Sequence, residues 1–391
     1  MGKQVKTPRF YVDIPTFLHA TGDLHWDGNK GGAELLYMNC ANPVTSTPDT
    51  QEENTLFLIG DDSDDPKTSF PVNFCALLNH NLASDSHIPK LIGYNKFDDT
   101  YQSLNKEGTF LNNVLNMPNL LTIPPYNGTS IWTCGADSNG INDYWSSFQI
   151  RYDIEYEAGA STYIDTYKHQ LGSMVVGKYW DAPNSPDLNL TMSRRFDGIK
   201  RQKTIGGKTL ANIYYDGPTE WTMYHPDDGT YKYPPFELDL SLSVDLDIDG
   251  SNVFHSWRAK SGLGRKGLRS WKLTFSYISE DDMWMAYESS SIAPFSDGDS
   301  GYDVTTDTDV PTDDGNSVAS LTNPNPMLSD DSFNFVWNCT LGGTLPFIFQ
   351  PDNTNNNPDQ FSICTFRGNS LSVKQVAFNT YSLSVTIDEV A

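Results

Sequence analysis

From Phe236 to Ile248 the chain alternates without error: Phe236, Leu238, Leu240, Leu242, Val244, Leu246 and Ile248 against Glu237, Asp239, Ser241, Ser243, Asp245 and Asp247. A two-residue period has one physical solution, an extended strand, because successive side chains point to opposite faces of a sheet. Thirteen such residues span roughly 44 Å, with one face on a core and an acidic face turned to water or to a basic partner. Trp271, Leu273, Phe275 and Tyr277 repeat the pattern, and so do Phe148, Ile150, Tyr152, Ile154 and Tyr156. A chain carrying several two-faced ribbons must stack them into sheets.

The composition agrees. Aromatic residues reach 13% against 19% charged, with 29 Gly and 23 Pro in 391 residues. Aromatics suit pleated surfaces, and Gly, Pro, Asn and Asp make the tight turns between them. The fold expected is mostly β: two β-sandwich or jelly-roll-like domains, with a short helix in the second. Residues 1–34 read as an N-terminal arm, with a strand near Phe10–Ile14 and a polar loop through Gly32. Residues 35–183 read as a jelly-roll-like sandwich, and 184–391 as a second sandwich. The boundary is set at Ala182–Asp187, where two prolines interrupt any ladder.

In the first sandwich, strands are predicted at Leu35–Cys40, Leu56–Ile59, Val72–Leu78, Leu91–Gly93, Ser130–Cys134, Phe148–Glu155 and Met174–Tyr179. The second begins with Leu188–Met192, Ile199–Ile205, Leu210–Tyr214 and Trp221–Tyr224. Later, the strand Arg269–Ile278 runs into a helix start at Ser279, where Asp282 three residues on approximates a capping box. An acidic loop insertion, 289–331, carries nine Asp and no Lys or Arg. It buries too little apolar surface to offset ordering. Helical spacing resumes at Phe333, Val336 and Trp337. Gly342-Gly343 offers a left-handed end to that helix, and the strand Leu345–Gln350 and two closing strands follow.

The net charge of −24 argues against a general nucleic-acid binder, which needs a basic face. The sign is uneven along the chain. Arg194–Lys208 holds Arg194, Arg195, Lys200, Arg201, Lys203 and Lys208, and Arg258–Lys272 holds six more cations, among them Arg265 and Lys266. No Lys or Arg lies between Lys272 and Arg367. Unlike patches on one chain favour contacts between copies or partners. The interface candidates are therefore Arg194, Arg195, Lys200, Arg201, Lys203, Arg265 and Lys266 on the basic side, and Asp239, Asp245 and Asp247 on the acidic side. The alternative for these charges is a pair of solvated strand faces. The start MGKQVKTPRF has no apolar h-region, and no apolar run reaches 18 residues, so neither a signal peptide nor membrane insertion is expected. The five cysteines are widely spaced and read as reduced, mostly buried thiols.

No motif selects a catalytic residue, a cofactor or a metal. Gly298-Asp299-Ser300-Gly301 lies in the acidic loop with no partner histidine motif. Gly262-Leu263-Gly264-Arg265-Lys266-Gly267 precedes a strand, where a dinucleotide fold requires a helix. Asp245 to Gly250 copies half an EF-hand loop, but its twelfth position is Ser256, so calcium is left as a weak alternative there and in the acidic loop. His80, within Asn79-His80-Asn81, follows a buried-looking strand and reads as a structural turn before a sugar contact. Tyr94, Tyr126, Trp132, Trp145, Tyr179 and Trp180 are candidates for stacking on a host-surface glycan, with core packing as the more ordinary use.

Three stretches carry a resemblance: VNFCALLNHNLAS (72–84), YWDAPNSPDLNLTMSRRFDGIKRQKTIGGKTLANIYYDGPTEW (179–221), and the series RSWKLTFSYIS, FVWNCTLGGTLPFIFQPDN, NNNPDQFSICTF and YSLSVTIDEV between Arg269 and Val390. Together they resemble virion structural proteins of tailed bacteriophages of marine and freshwater bacteria. The third also resembles the tail-hub domain of distal and minor tail proteins, with a strand, a helix, a Gly-rich break, an aromatic-Pro strand and closing strands ending in a Glu-containing segment. The acidic loop departs from that pattern by interrupting the helix. The resemblance implies a non-enzymatic tail or baseplate hub forming a homo-oligomeric ring, with other virion proteins as partners, no cofactor, and a place in the virion after assembly in the host cytoplasm. A glycan-binding adhesion module and a head-decoration or head-tail protein are the alternatives.

Overall fold

In Arg9–Asp13 (β1) every residue from Phe10 to Asp13 is buried, which needs a strand covered on both faces rather than one. The computed structural model places it so. It describes residues 5–22, 24, 32–38, 44–45, 55–60, 70–80, 90–95, 100–103, 112–113, 129–133, 144–151, 170–195, 199–213, 268–285, 331–355 and 360–390. The protein is mostly β, around one large antiparallel sheet.

That sheet has twelve strands. From one edge its path runs through Thr191–Arg195 (β12), Leu268–Ser279 (β15), Thr380–Glu389 (β19), Ser362–Phe366 (β17) and Phe347–Gln350 (β16) to β1. It continues through Gln170–Asp181 (β11), Phe74–His80 (β5), Thr129–Thr133 (β9) and Asn112–Asn113 (β8). Val373–Ala377 (β18) adds to β19 and Val44–Thr45 (β2) to β11. A second, five-stranded sheet holds Thr55–Gly60 (β3), Phe70–Pro71 (β4), Lys90–Asn95 (β6), Thr100–Ser103 (β7) and Tyr144–Arg151 (β10). Ile199–Lys203 (β13) and Thr209–Ile213 (β14) form a separate hairpin.

The segment expected to be an arm is thus central to the large sheet. β1 pairs antiparallel with β11 on one side and β16 on the other, so Tyr11 sits opposite both Tyr179 and Ile348. The hydrogen-bonded ladder crosses the expected 183/184 boundary through this strand. Phe10 faces one core, with ring centroids 5.6 Å from Trp180, 5.7 Å from Phe347 and 5.2 Å from Phe349. Tyr11 faces the other, 5.0 Å from Phe74, and its hydroxyl donates to Gln350 Oε1 at 2.8 Å. Each fully buried aromatic of this kind contributes about 1.5–3 kcal/mol.

Close approach of β1 to β11 requires Gly177. A Cβ there would lie 2.2 Å from the Val12 carbonyl oxygen. At the outer end of the pair, Arg9 and Asp181 stand directly opposite and form two bonds of 2.6 and 2.7 Å, while the guanidinium lies 3.9 Å over the Tyr179 ring.

Helices fill the ends. Ile14–Thr21 (α1) follows β1 where a loop was expected. Pro15 in the first turn needs no amide partner, and Gly22 at φ 85° closes the end with its N–H on the His19 and Leu18 carbonyls. Of Leu35–Cys40, expected as a strand, the described part is instead the end of a 3-10 turn (Gly32–Leu35), followed by Tyr37 and Met38 at positive φ, 62° and 51°. Leu35, Leu36 and Met38 are buried by that turn, so their apolar character serves a corner and not a ladder. Glu280–Met283 (α2) starts as expected, with the Asp282 amide donating to Ser279 Oγ at 3.1 Å. Phe333–Cys339 (α3) ends on Thr340. Gly342 (φ 65°) and Gly343 (φ 86°) are left-handed as expected and Leu341 (φ 49°) joins them; the Leu341 N–H donates to the Asn338 carbonyl, and the Gly342 N–H reaches the Trp337 carbonyl at 3.0 Å. Gly343 is needed for space, since a Cβ would meet Phe366 Cβ at 2.6 Å. Helical structure therefore stands on either side of the acidic loop, with Asn338 Nδ2 donating to Met285 Sδ at 3.3 Å between the two pieces.

The alternation Trp271–Leu273–Phe275–Tyr277 holds for three residues and then slips. A bulge between Phe275 and Ile278 in the β15–β19 ladder moves Ile278 into the core and leaves Tyr277 75% exposed. The first predicted strand beyond the boundary, Leu188–Met192, forms later, at Thr191–Arg195, because Asp187 to Leu190 closes a turn. The other predicted strands with described residues lie within a few positions of those observed. Phe236–Ile248 and Trp221–Tyr224 lie outside the described residues.

Arg269 and Glu389 bind the first and last strands of the C-terminal segment. Glu389 Oε2 accepts from the Arg269 backbone N–H at 2.8 Å and from Nε at 3.1 Å, and Oε1 accepts from Nη2 at 3.1 Å. Nη2 also donates to the Phe361 carbonyl at 3.0 Å and to Ser362 Oγ. Both side chains are buried, and removing one partner from such a pair leaves an uncompensated charge.

Two outcomes are expected in urea denaturation monitored by tryptophan fluorescence. Gly177→Ala should lose roughly 2 kcal/mol or more, since Val12 must move. Glu389→Ala should lose about 3–5 kcal/mol. A loss under about 0.5 kcal/mol for either variant, the scatter of neutral surface changes, contradicts the packing described.

A candidate assembly interface

β12 is Thr191–Arg195, and all five of its residues are exposed. Among the described strands it pairs with β15 alone, at the end of the sheet's path. Its register sets Arg194 opposite Arg269 and Thr191 opposite Lys272. Two basic clusters far apart in sequence thus meet at one sheet edge. Their cations are used differently: Arg269 is buried against Glu389, whereas Arg194 and Arg195 reach the surface.

Beyond β12 the chain forms the β13–β14 hairpin, with Ile199 opposite Ile213 and Lys203 opposite Thr209. Arg201 and Lys203 are exposed along β13, and Lys208 is exposed at the turn. Lys200 lies in the same strand, opposite Asn212. Five of the predicted interface residues therefore fall on one edge strand and the hairpin that follows it. Arg265, Lys266, Asp239, Asp245 and Asp247 lie outside the described residues, as do Gly298–Gly301, the half EF-hand at Asp245–Gly250 and the acidic loop up to residue 330.

Of the predicted sugar-stacking aromatics, the two whose side chains are described do not form an exposed platform. Trp180 is buried, 5.4 Å from Phe333, and Tyr179 is half-buried under the Arg9 guanidinium. The backbones of Tyr94, Trp132 and Trp145 lie in strands, as does that of His80, and Tyr126 lies outside the described residues. Cys75, Cys339 and Cys364 are buried thiols outside any disulfide, and burial pushes the Cys339 thiol pKa up. Among the described residues no cluster of three His, Cys, Asp or Glu is placed to hold a metal ion.

One carboxyl departs strongly from its ordinary behaviour. Asp13, at the β1–α1 junction, is 3% exposed; Thr16 Oγ1 donates to its Oδ2, and its Oδ1 has no hydrogen-bond partner. Burial lifts its pKa to about 7, with Thr16 and nearby backbone amides opposing the rise. Thr16 Oγ1 in turn accepts the Tyr37 N–H at 2.9 Å, and Tyr37 Oη lies 2.9 Å from His19 Nδ1. This carboxyl closes the strand-to-helix corner, out of reach of any large substrate.

No family model, curated protein or solved structure matches the chain.

The Asp13 site has a pH signature. Its folded pKa lies above the unfolded value near 4, so the native state binds the proton more tightly. Its contribution is full below about pH 4 and is lost as the pH rises through about 7. Asp13→Asn should flatten the stability profile over that window and gain on the order of 2–4 kcal/mol at pH 8. An unchanged slope in urea titrations from pH 4 to 8 contradicts the assignment.

Proposed function

We propose that this chain is a structural component of a phage virion, a tail or baseplate hub protein that forms a homo-oligomeric ring between the tail tube and the baseplate or fibres. In this reading the chain has no catalytic role. Its two halves work as β-sandwiches, the first of jelly-roll type, joined through the shared large sheet. The observation that carries the reading is the fully exposed strand Thr191–Arg195, last in the path of the described sheet, with the basic hairpin that follows it in the chain.

A strand at the end of a sheet offers backbone groups that another chain can pair with. Charged residues such as Arg194 and Arg195 protect it from unspecific pairing while leaving it selective for an acidic surface. The C-terminal segment supplies a rigid base, because β15 and β19 are neighbours with Arg269 and Glu389 locked between them. The observed order of strand, short helix, second helix, left-handed break, Phe347–Gln350 and closing strands follows the series expected of a hub domain.

Light scattering of the purified chain should give an integral multiple of 43.7 kDa, and negative-stain images should show closed rings. In virions, the chain should map to the tail end. A monomer at every concentration, together with absence from purified particles, removes the reading. Rings that map to the capsid surface assign a head-decoration role instead.

A further inference from the structure

The hairpin Ile199–Ile213 is unusual within this fold. Its strands pair with each other and, among the described residues, with no other strand. Every residue from Arg201 to Ala211 is exposed, with Ile205 at 109% and Leu210 at 52%. A lone two-stranded hairpin is marginally stable in water, and its apolar tip is left in solvent. We propose that this hairpin is an inter-subunit arm that docks on an acidic face of a second copy of the chain, an inference that rests on the assembly reading above.

Charge selects the occupant. Between Ile199 and Ile213 stand Lys200, Arg201, Lys203 and Lys208, with no Asp or Glu. Arg194 and Arg195 extend the same sign onto β12, and Asp197 is the one acid of the Arg194–Lys208 stretch. That stretch holds six of the 26 basic residues, so the rest of the chain is even more acidic than the net −24 implies. An identical copy therefore carries an excess of negative charge for a positive arm to meet. The same excess repels a polyphosphate, which sets nucleic acid behind a second copy as the partner.

The arm is also held in shape. The Gly207 N–H donates to the Thr204 carbonyl at 2.9 Å, the Thr204 N–H to the Lys208 carbonyl at 2.8 Å, and the Lys208 N–H to Thr204 Oγ1 at 3.1 Å. Gly207 takes φ 79°, a left-handed position that glycine adopts without strain. A formed arm loses less conformational freedom on docking than a flexible loop would. A basic arm and an acidic receiver are unlike patches, so the contact is heterologous. Repeated with a rotation that closes, it builds a ring.

The test is sedimentation of the full chain at about 50 and about 500 mM NaCl, beside the charge reversal K200E/R201E/K203E/K208E and the tip variant Ile205→Ser. Circular dichroism checks that each variant keeps its fold. The wild type should associate about tenfold more weakly at the higher salt, and the charge reversal should weaken association about 100-fold or more. Ile205→Ser keeps every charge and should retain the salt dependence. Mixed with wild type, the charge-reversed chain should cap growth and give shorter oligomers, because it can receive an arm but not offer one. Oligomers unchanged by the reversal overturn the arm while leaving the assembly reading intact. A wild type that is monomeric at both salts overturns both. Binding of a 20-base-pair DNA duplex that is tighter than self-association and lost in the charge reversal assigns the hairpin to nucleic acid, and overturns the proposal.

Discussion

The large sheet depends on the insertion of Arg9–Asp13 between Gln170–Asp181 and Phe347–Gln350. Strands from opposite ends of the sequence become neighbours only because this short segment offers a donor-acceptor edge to each. Its side chains complete the job on both faces: Phe10 is ringed by Trp180, Phe333, Phe347, Phe349 and Phe366, while Tyr11 joins Phe74 and Phe361 on the other side. Aromatic groups in such tilted and edge-on contacts add to the area they bury. Gly177 lets the backbones approach, and the Arg9–Asp181 pair fixes the register.

The electrostatics separate into buried pairs that hold register and exposed charges that are available for contact. Arg269 and Glu389 are enclosed with their hydrogen bonds satisfied by each other, Phe361 and Ser362. A buried pair of this kind adds little to net stability relative to an apolar replacement, but it penalises any shift of strand pairing that separates the charges. Arg201, Lys203 and Lys208 lie at the opposite extreme, exposed on a hairpin. One chain thus spends some of its few cations on internal register and presents the others to solvent.

Much of this was legible in the sequence where a periodic pattern met a single buried face. The alternation of Trp271, Leu273 and Phe275 announced β15, and Ser279 with Asp282 announced the helix start. The pattern failed where geometry departs from a regular ladder. Tyr277 lies beyond a bulge, which the residues themselves do not signal. Leu35 and Leu36 look like strand residues but bury themselves in a turn. β1 was legible as a strand, yet its central place was hidden, because five residues carry no information about which partners flank them. α1 was readable in principle, from Pro15 in its first turn and Gly22 after its end. For the interface, the cluster Arg194–Lys208 was visible as charge, but its division into an edge strand and a hairpin depends on the pairing of β12 with β15.

In the proposed assembly the continuous sheet serves as a stiff platform from which the arm and the strand Thr191–Arg195 meet a neighbour at a fixed angle. The claim beneath this is that β1 makes one cooperative unit of strands drawn from both halves of the chain. Native-state hydrogen exchange with site resolution tests it directly. The account predicts that amides in Phe74–His80, Gln170–Asp181, Phe347–Gln350 and Thr380–Glu389 share one opening free energy, and that Phe10→Ala lowers all four together. Independent opening of the strands on the two sides of β1, with Phe10→Ala affecting one side alone, would contradict it.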